Sequence, residues 1–488
     1  MSIQDCISAD LSTFVPRTEK PWNRKRVQHV YNRLGFGATD SEINAALAMS
    51  PEVLIDNLID AAIATPIPTT PYWGEWVGED YDEATFFEQV YQHRYETVQN
   101  WMRGMLENPV KYRMVLFWHN HFVTEFAEYS CSSWMWAYYK LLHQYAFGNF
   151  KNFVYAMGKN AAMLDYLDNN ENVVGAPNEN YARELLELFT LGEGNGYTQT
   201  DIYEIARALT GWKAYLCNAP FFYPPHHDNG QKTIFGQTGN WHYDEVHNLI
   251  FTQRSAQMAQ HIAEKVYKHF VFPETNEAII DELAQTLLEN DFEIHPMLRQ
   301  LFKSEHFFEE SLLGAKIKSP YDMFMQLLRV CELKFDQNFN QNEINAIDYW
   351  TAITGQQLFS PINVAGWPGH EAWITEHLLV NRWRLSADLF AWMVYNDNFP
   401  NQEHFRTWAK NLSNNATDPE FITQRIVETL FNVNLSAEAQ KTAVEIFKAN
   451  IPINYYLNNF WSLDYESAPF QVLLLLQHLY KLPEFQLT

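Results

Sequence analysis

Segment after segment of this chain sets apolar residues at helical spacing, and hardly any stretch alternates apolar and polar residues as a half-buried strand would. The helical stretches run from Pro51 to Ile63, Ala84 to Leu106, Val115 to Phe122, Ser133 to Tyr145, Asn180 to Phe189, Asp201 to Leu209, Ser255 to Phe270, Asn276 to Glu289 and Tyr321 to Leu333. Clusters of Pro, Gly and Asn separate them, and such residues end helices. The pattern predicts an all-α protein, a large multi-helix globular fold with long Pro/Gly/Asn-rich loops. Thr198 or Thr200 is placed to cap the helix that opens near Asp201, and Gly211 to stop it.

With 488 residues, 47% of them hydrophobic, the chain can bury a large core. The expected organisation is a tail over residues 1–23 and a single large helical domain over 24–488. A soft division is expected near residue 335, where KFDQNFNQNEIN is polar. From Cys217 to Trp241 the sequence CNAPFFYPPHHDNGQKTIFGQTGNW cannot be helical through Pro224 and Pro225, so it reads as a long loop with room for a short hairpin. A second glycine-rich loop, SPINVAGWPGHEAW, runs from Ser360 to Trp373.

Acidic residues outnumber basic ones, 59 to 34, for a formal charge of -25. That field repels nucleic acid and anionic bilayers, and the basic cluster Arg24-Lys25-Arg26 is too short to reverse it. Cys6, Cys131, Cys217 and Cys331 lie far apart with no CxxC pair, which predicts reduced thiols and neither a zinc ribbon nor a disulfide scaffold. The start, MSIQDCISADLSTFVPRTEK, has no apolar signal core, and the longest aliphatic run, Val472 to Leu476, is far too short to span a bilayer. A cytoplasmic protein with no membrane span is the expectation.

Three segments concentrate polar residues that can carry chemistry. In FWHNHFVTE, His119 and His121 are two apart; they face one way on an extended segment but diverge by about 200° within a regular helix. In PNENYARELLELFTLG the apolar residues fill most of the helix, while Asn180, Arg183, Glu184 and Glu187 share the remaining face. Carboxylates one turn apart can offer themselves to a metal from a helical interior, or they can pair with Arg183 or Arg207. In PPHHDNGQK, His227, Asp228 and Lys232 sit on the long loop, where an Asp can ligate a cation or orient a His.

HVYNRLGFGAT, FWHNHF, APNENYARELLELFTLG, YTQTDIYEIARALTGW, HHDNGQKTIFGQTGNW, KSP at Lys318 and NVAGWPG, in this order, resemble the bacterial family catalogued as domain of unknown function 1800. The resemblance covers nearly the whole chain. It implies a mostly helical protein and, as a partner, a sulfatase-like protein of the family domain of unknown function 1501. The positions it singles out include the three segments above together with Asn178, Glu179, Trp367 and Trp373. Where the family usually has GWPGG, this chain has His370 after Gly369.

These readings converge on an uncharacterised helical protein expected to be an enzyme, hydrolytic or oxidative, with one divalent metal ion (zinc, iron or manganese). His119, His121 and Glu184 are its expected ligands; Asp228, Arg183, Lys232, Glu187 and His227 are its expected catalytic groups. The alternative is a non-catalytic binding or maturation partner of the sulfatase-like protein.

Overall fold

The computed structural model describes residues 10–334, 341–395 and 401–488; the soft division expected near residue 335 lies outside them. Among the described residues there are 23 α-helices and two sheets of two short strands each, so the all-α reading holds. The helices Pro51–Ala64, Phe86–Glu107, Ser132–Tyr145, Ser255–Phe270 and Glu277–Glu289 fall within a residue or two of the spans read from spacing. Local chemistry sets their ends. Ser50 accepts from the Val53 amide ahead of Pro51, and Thr198 forms a reciprocal capping pair with Asp201 at the start of helix Gln199–Ala208.

Two helices depart from expectation. The helix that carries His119 and His121 begins earlier, at Pro109, and every residue from Val110 to His119 is buried. The span read as Asn180 to Phe189 is α-helical only over Asn180–Glu184 and continues as a π-helical turn over Leu185–Thr190.

The long loop is two hairpins. β1 (Trp212–Lys213) pairs with β2 (Phe221–Phe222), and β3 (Lys232–Ile234) pairs with β4 (Gln237–Gly239), with Pro224–His226 forming a short turn of 3-10 helix between them. One apolar cluster extends from Leu11 to Phe485, with Trp101, Trp118, Tyr138 and Tyr139 among its fully buried side chains. Leu11 and Phe14 belong to the segment expected as a tail, and the Phe14 amide donates to the Lys303 carbonyl at 2.8 Å.

The cysteine expectation fails for two of the four residues. Cys131, at the start of helix Ser132–Tyr145, is disulfide-bonded to Cys217 of the long loop, with Cα atoms 5.8 Å apart. Distance along the chain concealed the pair, since proximity in the fold decides bonding. Cys331 is free and buried, and Cys6 lies outside the described residues. No described helix is long and apolar enough to cross a membrane.

Candidate functional site

Helix Pro109–His121 places its last turn at the centre of the molecule, and its two histidines diverge there as helical geometry requires. The Phe359 amide donates to His119 Nε2 at 3.0 Å, so that nitrogen is an acceptor and Nδ1 carries the proton. Nδ1 donates to the Tyr138 hydroxyl at 2.7 Å, and that hydroxyl donates in turn to the Phe122 carbonyl at 2.8 Å. Burial pushes the His119 imidazole down to about 3, so the ring is neutral. Both nitrogens are committed, which leaves no lone pair for a metal.

His121 points elsewhere, and its Nε2 donates to the Phe189 carbonyl at 3.1 Å. His261 does the same to the Leu188 carbonyl at 3.2 Å. Both carbonyls belong to the π-helical turn Leu185–Thr190 that ends this helix, where carbonyls have no amide of the next turn to accept from. Burial, followed by nearby Lys265 and His261, holds His121 well below the usual imidazole range.

The polar face of the same helix forms a partly exposed ion-pair network. Arg183 bridges Glu179 at 2.9 Å and Glu187 at 3.2 Å, and reaches Gln199 at 3.0 Å. Asn180 donates to Asp168 at 3.3 Å. Glu184 is half-buried; burial and then Glu187 raise its carboxyl, against the pull of Arg183. The metal set of His119, His121 and Glu184 is therefore not assembled, because the two imidazoles face different neighbours and both nitrogens of His119 are committed to hydrogen bonds, whereas His121 uses Nε2 alone. Among the described residues no group of three or more His, Cys, Asp or Glu is placed to hold a metal ion.

The loop residues bind their own surroundings. Asp228 meets Arg207 at 2.8 Å; burial raises its carboxyl, but the Arg207 and Gly230 hydrogen bonds and nearby charges outweigh that and hold it below the usual carboxylate range. His227 Nδ1 donates to the Thr210 carbonyl at 2.9 Å, and its ring stacks on His242. Lys232 Nζ donates to the Gly230 carbonyl at 3.0 Å. Arg207 thus pairs with Asp228 and Glu204, while Arg183 alone serves the helix glutamates.

A cleft of about 380 Å³ opens beside His121, within the size range of small-molecule sites. Three sequence motifs build it. Asn120, between the two histidines, clamps the glycine loop: its Oδ1 accepts from the Trp367 amide at 2.7 Å and its Nδ2 donates to the Trp367 carbonyl at 3.2 Å. The close approach requires Gly366, whose φ is +81° and where a Cβ would lie 2.3 Å from Asn120 Oδ1. The clamped loop brings Trp367, Gly369, His370 and Trp373 to the cleft. His370 occupies a left-handed backbone position, φ +47°, that favours the glycine usual there.

The KSP motif supplies the opposite wall. Ser319 caps helix Pro320–Val330 in a reciprocal pair with Asp322, and the preceding residues pair with the C-terminal segment: the Lys318 amide donates to the Gln486 carbonyl at 2.8 Å and the Thr488 amide to that of Lys316, also at 2.8 Å. Lys318 is an anchor, since its Nζ donates to the Phe485 carbonyl at 2.5 Å and lies 3.9 Å over the Phe485 ring.

The charges that line the cleft do not cancel. Arg113 is ion-paired with Asp322, and Lys268 with Glu264 at 2.6 Å. Lys265 and Lys316 remain, and among the described residues neither ammonium makes a hydrogen bond or has a carboxylate oxygen within 4.0 Å. Burial, opposed by Arg113 and Lys316, leaves Asp322 below the usual carboxylate range. Burial first and then Lys268 lower Lys265.

Of the expected site residues, only His121, Trp367 and Trp373 line this cleft; Asp228, Arg183, Lys232, Glu187 and His227 do not. Sequence reasoning missed Arg113, His261, Lys265, His269, Lys316 and Asp322, because single polar residues, on apolar helices or in the short link before Pro320, carry no motif. The KSP string was the one available signal, and it pointed to Lys318 when Lys316, two residues earlier, faces the cleft. A larger groove of about 1100 Å³ lies where the start of helix Arg24–Leu34 meets helices Pro419–Leu430 and Ala437–Phe447. Three of its four cations have polar partners: Arg24 meets Asp40, Lys25 donates to Asn434 at 2.5 Å, and Lys441 pairs with Glu445 at 3.8 Å, while Lys448 lies 5.2 Å over the Tyr456 ring.

No curated protein and no solved structure matches the chain. A family model matches residues 29–487, so the motifs that build the cleft belong to one continuous pattern, and the chain is a member of the family described as protein of unknown function (DUF1800).

Proposed function

We propose that the cleft beside His121 is the active site of an enzyme acting on a small anionic molecule. The observation that carries this reading is the pair of unmatched ammonium groups, Lys265 and Lys316, in a protein of net charge -25. Both lysines are half-buried; partly desolvated charge without a counter-charge costs stability, and an anion between the two walls would supply that counter-charge. Trp367, Trp373 and Phe117 offer apolar walls for the rest of the molecule. The cationic groups suit a reaction in which negative charge grows on the substrate, hydrolytic chemistry included. His121 stays in this site as a neutral imidazole held by Phe189; a metal role for it with His119 and Glu184 is not part of the proposal.

The test is anion binding. Sulfate, phosphate and simple carboxylates are expected to raise the unfolding temperature, with a stabilisation of about 2.7 kcal/mol at one hundred times Kd. The Lys265→Met and Lys316→Met variants should each lose most of that shift. Equal shifts in parent and variants would reject the reading.

One observation favours the alternative of a non-catalytic partner for the sulfatase-like protein (domain of unknown function 1501). The first hairpin exposes Tyr215 (54%), Leu216 (71%), Phe221, Phe222 and Tyr223, with the disulfide in the loop that joins its strands. Exposed apolar clusters of this kind mark interfaces. Complex formation between the two purified proteins, followed by light scattering, is the measurement that separates it from the first reading.

A further inference from the structure

The two unmatched lysines of the cleft are not equivalent. Lys265, on helix Ser255–Phe270, has Lys268 and Glu264 for charged neighbours, and those two pair with each other. Lys316 is held in backbone pairing with Thr488, one residue before Ile317, whose amide lies 3.4 Å from His370 Nδ1. The charged and titratable groups facing it are Arg33, Arg113, Asp322, His269 and His370. Arg33 donates to the Phe270, Val271 and Leu312 carbonyls and has no carboxylate partner among the described residues, while Asp322 already serves Arg113. His269 is neutral, driven down by burial and then by Lys316 itself.

An amine so placed loses its proton readily. Burial first, then the Arg33 and Arg113 guanidiniums against the pull of Asp322, bring Lys316 down to about 7. Lys318 reaches about 7 as well, but its Nζ is bound to Phe485 and is not among the cleft residues. A lysine desolvated beside other cations is the arrangement by which an amine becomes a nucleophile toward carbonyl carbon.

Resting on the anion-binding reading above, we propose that Lys316 forms an imine with an oxo acid whose carboxylate is held by Lys265. The neutral Nζ attacks the carbonyl carbon, forming a C–N bond while the carbonyl π pair moves to oxygen. That oxygen leaves as water, taking both protons of the attacking amine, so amine and carbonyl become imine and water with no change of oxidation state. A proton from solvent then gives the iminium, which draws electrons from the neighbouring carbon and eases loss of a proton or of carbon dioxide from it. Trp367 and Trp373 flank the substrate's apolar part, and His370, in place of a glycine, narrows the room beside Lys316.

Reductive trapping tests this on the full-length protein. Glyoxylate or pyruvate with cyanoborohydride is expected to label Lys316 in preference to exposed lysines such as Lys441, as read by peptide mass spectrometry. The rate should rise with pH through a midpoint near 7. Lys316→Arg should lose the label while the slow background on other lysines is unchanged, and Lys265→Met should raise the half-saturating glyoxylate concentration about tenfold. Sulfate binding to the unlabelled parent, measured by calorimetry, separates the two readings. Sulfate binding with Lys316 labelled no faster than Lys441 overturns the imine and leaves the anion site standing. Selective labelling without sulfate binding supports the nucleophile and overturns the anion site. Neither result positive overturns both.

Discussion

At the scale of single residues, the histidines and lysines of this chain divide by whether their polar atoms are already spent. His119 is spent: its partners Tyr138 and Phe359 lie 19 and 240 residues away in sequence, so no local pattern reveals that the ring is a neutral bridge between segments. Lys316 is not spent: it is half-buried, and the partial desolvation of its ammonium costs stability that a bound anion would recover. Lys316→Met should therefore stabilise the unliganded protein, and the sign of the pH dependence follows from its lowered value. Below about 7 the folded protein carries the full cost of a charged, poorly solvated ammonium. Between that pH and the ordinary lysine value of about 10.5 the unfolded chain holds the proton that the folded chain has given up, and the cost shrinks as pH rises. The gain in unfolding midpoint from Lys316→Met should then be larger at pH 6 than at pH 9. An equal gain at both would mean that Lys316 titrates normally. Residues retained against stability are the pattern expected of functional sites.

At the scale of elements, the sequence was legible where helical spacing and caps decide the outcome and opaque where one element borrows atoms from another. The apolar spacing of the stretch from Asn180 to Phe189 correctly gave a buried helix with one polar face, and Arg183 closes that face by pairing, as one of the two readings of it required. The π turn was not legible, because one extra residue per turn barely alters the apolar pattern, yet it delivers two carbonyls to His121 and His261. The glycine loop is a similar case. Its string was recognisable, but nothing in the sequence singles out Asn120, which fixes it from 247 residues away. Gly366→Ala should expose this dependence. The added methyl meets Asn120 Oδ1 at 2.3 Å and sits on a backbone with φ +81°, so the loop must shift away from helix Pro109–His121. A loss of about 1–3 kcal/mol in unfolding free energy is expected, with anion binding impaired as Trp367 and Trp373 leave the cleft. Unchanged stability and binding would show that the clamp does not position the loop.

At the scale of the whole molecule, distant segments complete each other. Thr488 fixes the backbone of Lys316, Phe14 pairs with Lys303, and the apolar cluster runs from one end of the described chain to the other. The disulfide belongs to this scale, since it joins residues 86 apart and anchors the hairpin loop to helix Ser132–Tyr145. Such bonds persist in oxidising compartments, so the expectation of a cytoplasmic protein loses the support that reduced thiols would have lent it. Closing a loop of that length restricts the unfolded chain by about 4.6 kcal/mol in the chain-entropy account, and measured effects run at about 2–4 kcal/mol. Alkylation of denatured protein without reductant should spare Cys131 and Cys217, and both should become reactive once dithiothreitol is added. The Cys131→Ser, Cys217→Ser double variant should unfold at lower denaturant while the cleft still binds anions, since neither cysteine lines it. Full alkylation of both residues without reductant would instead mean that the loop is held by packing and hydrogen bonds alone, among them the Trp134 indole's bond to the Asn218 carbonyl at 2.8 Å and the Gly78 amide's bond to that of Leu216 at 2.8 Å.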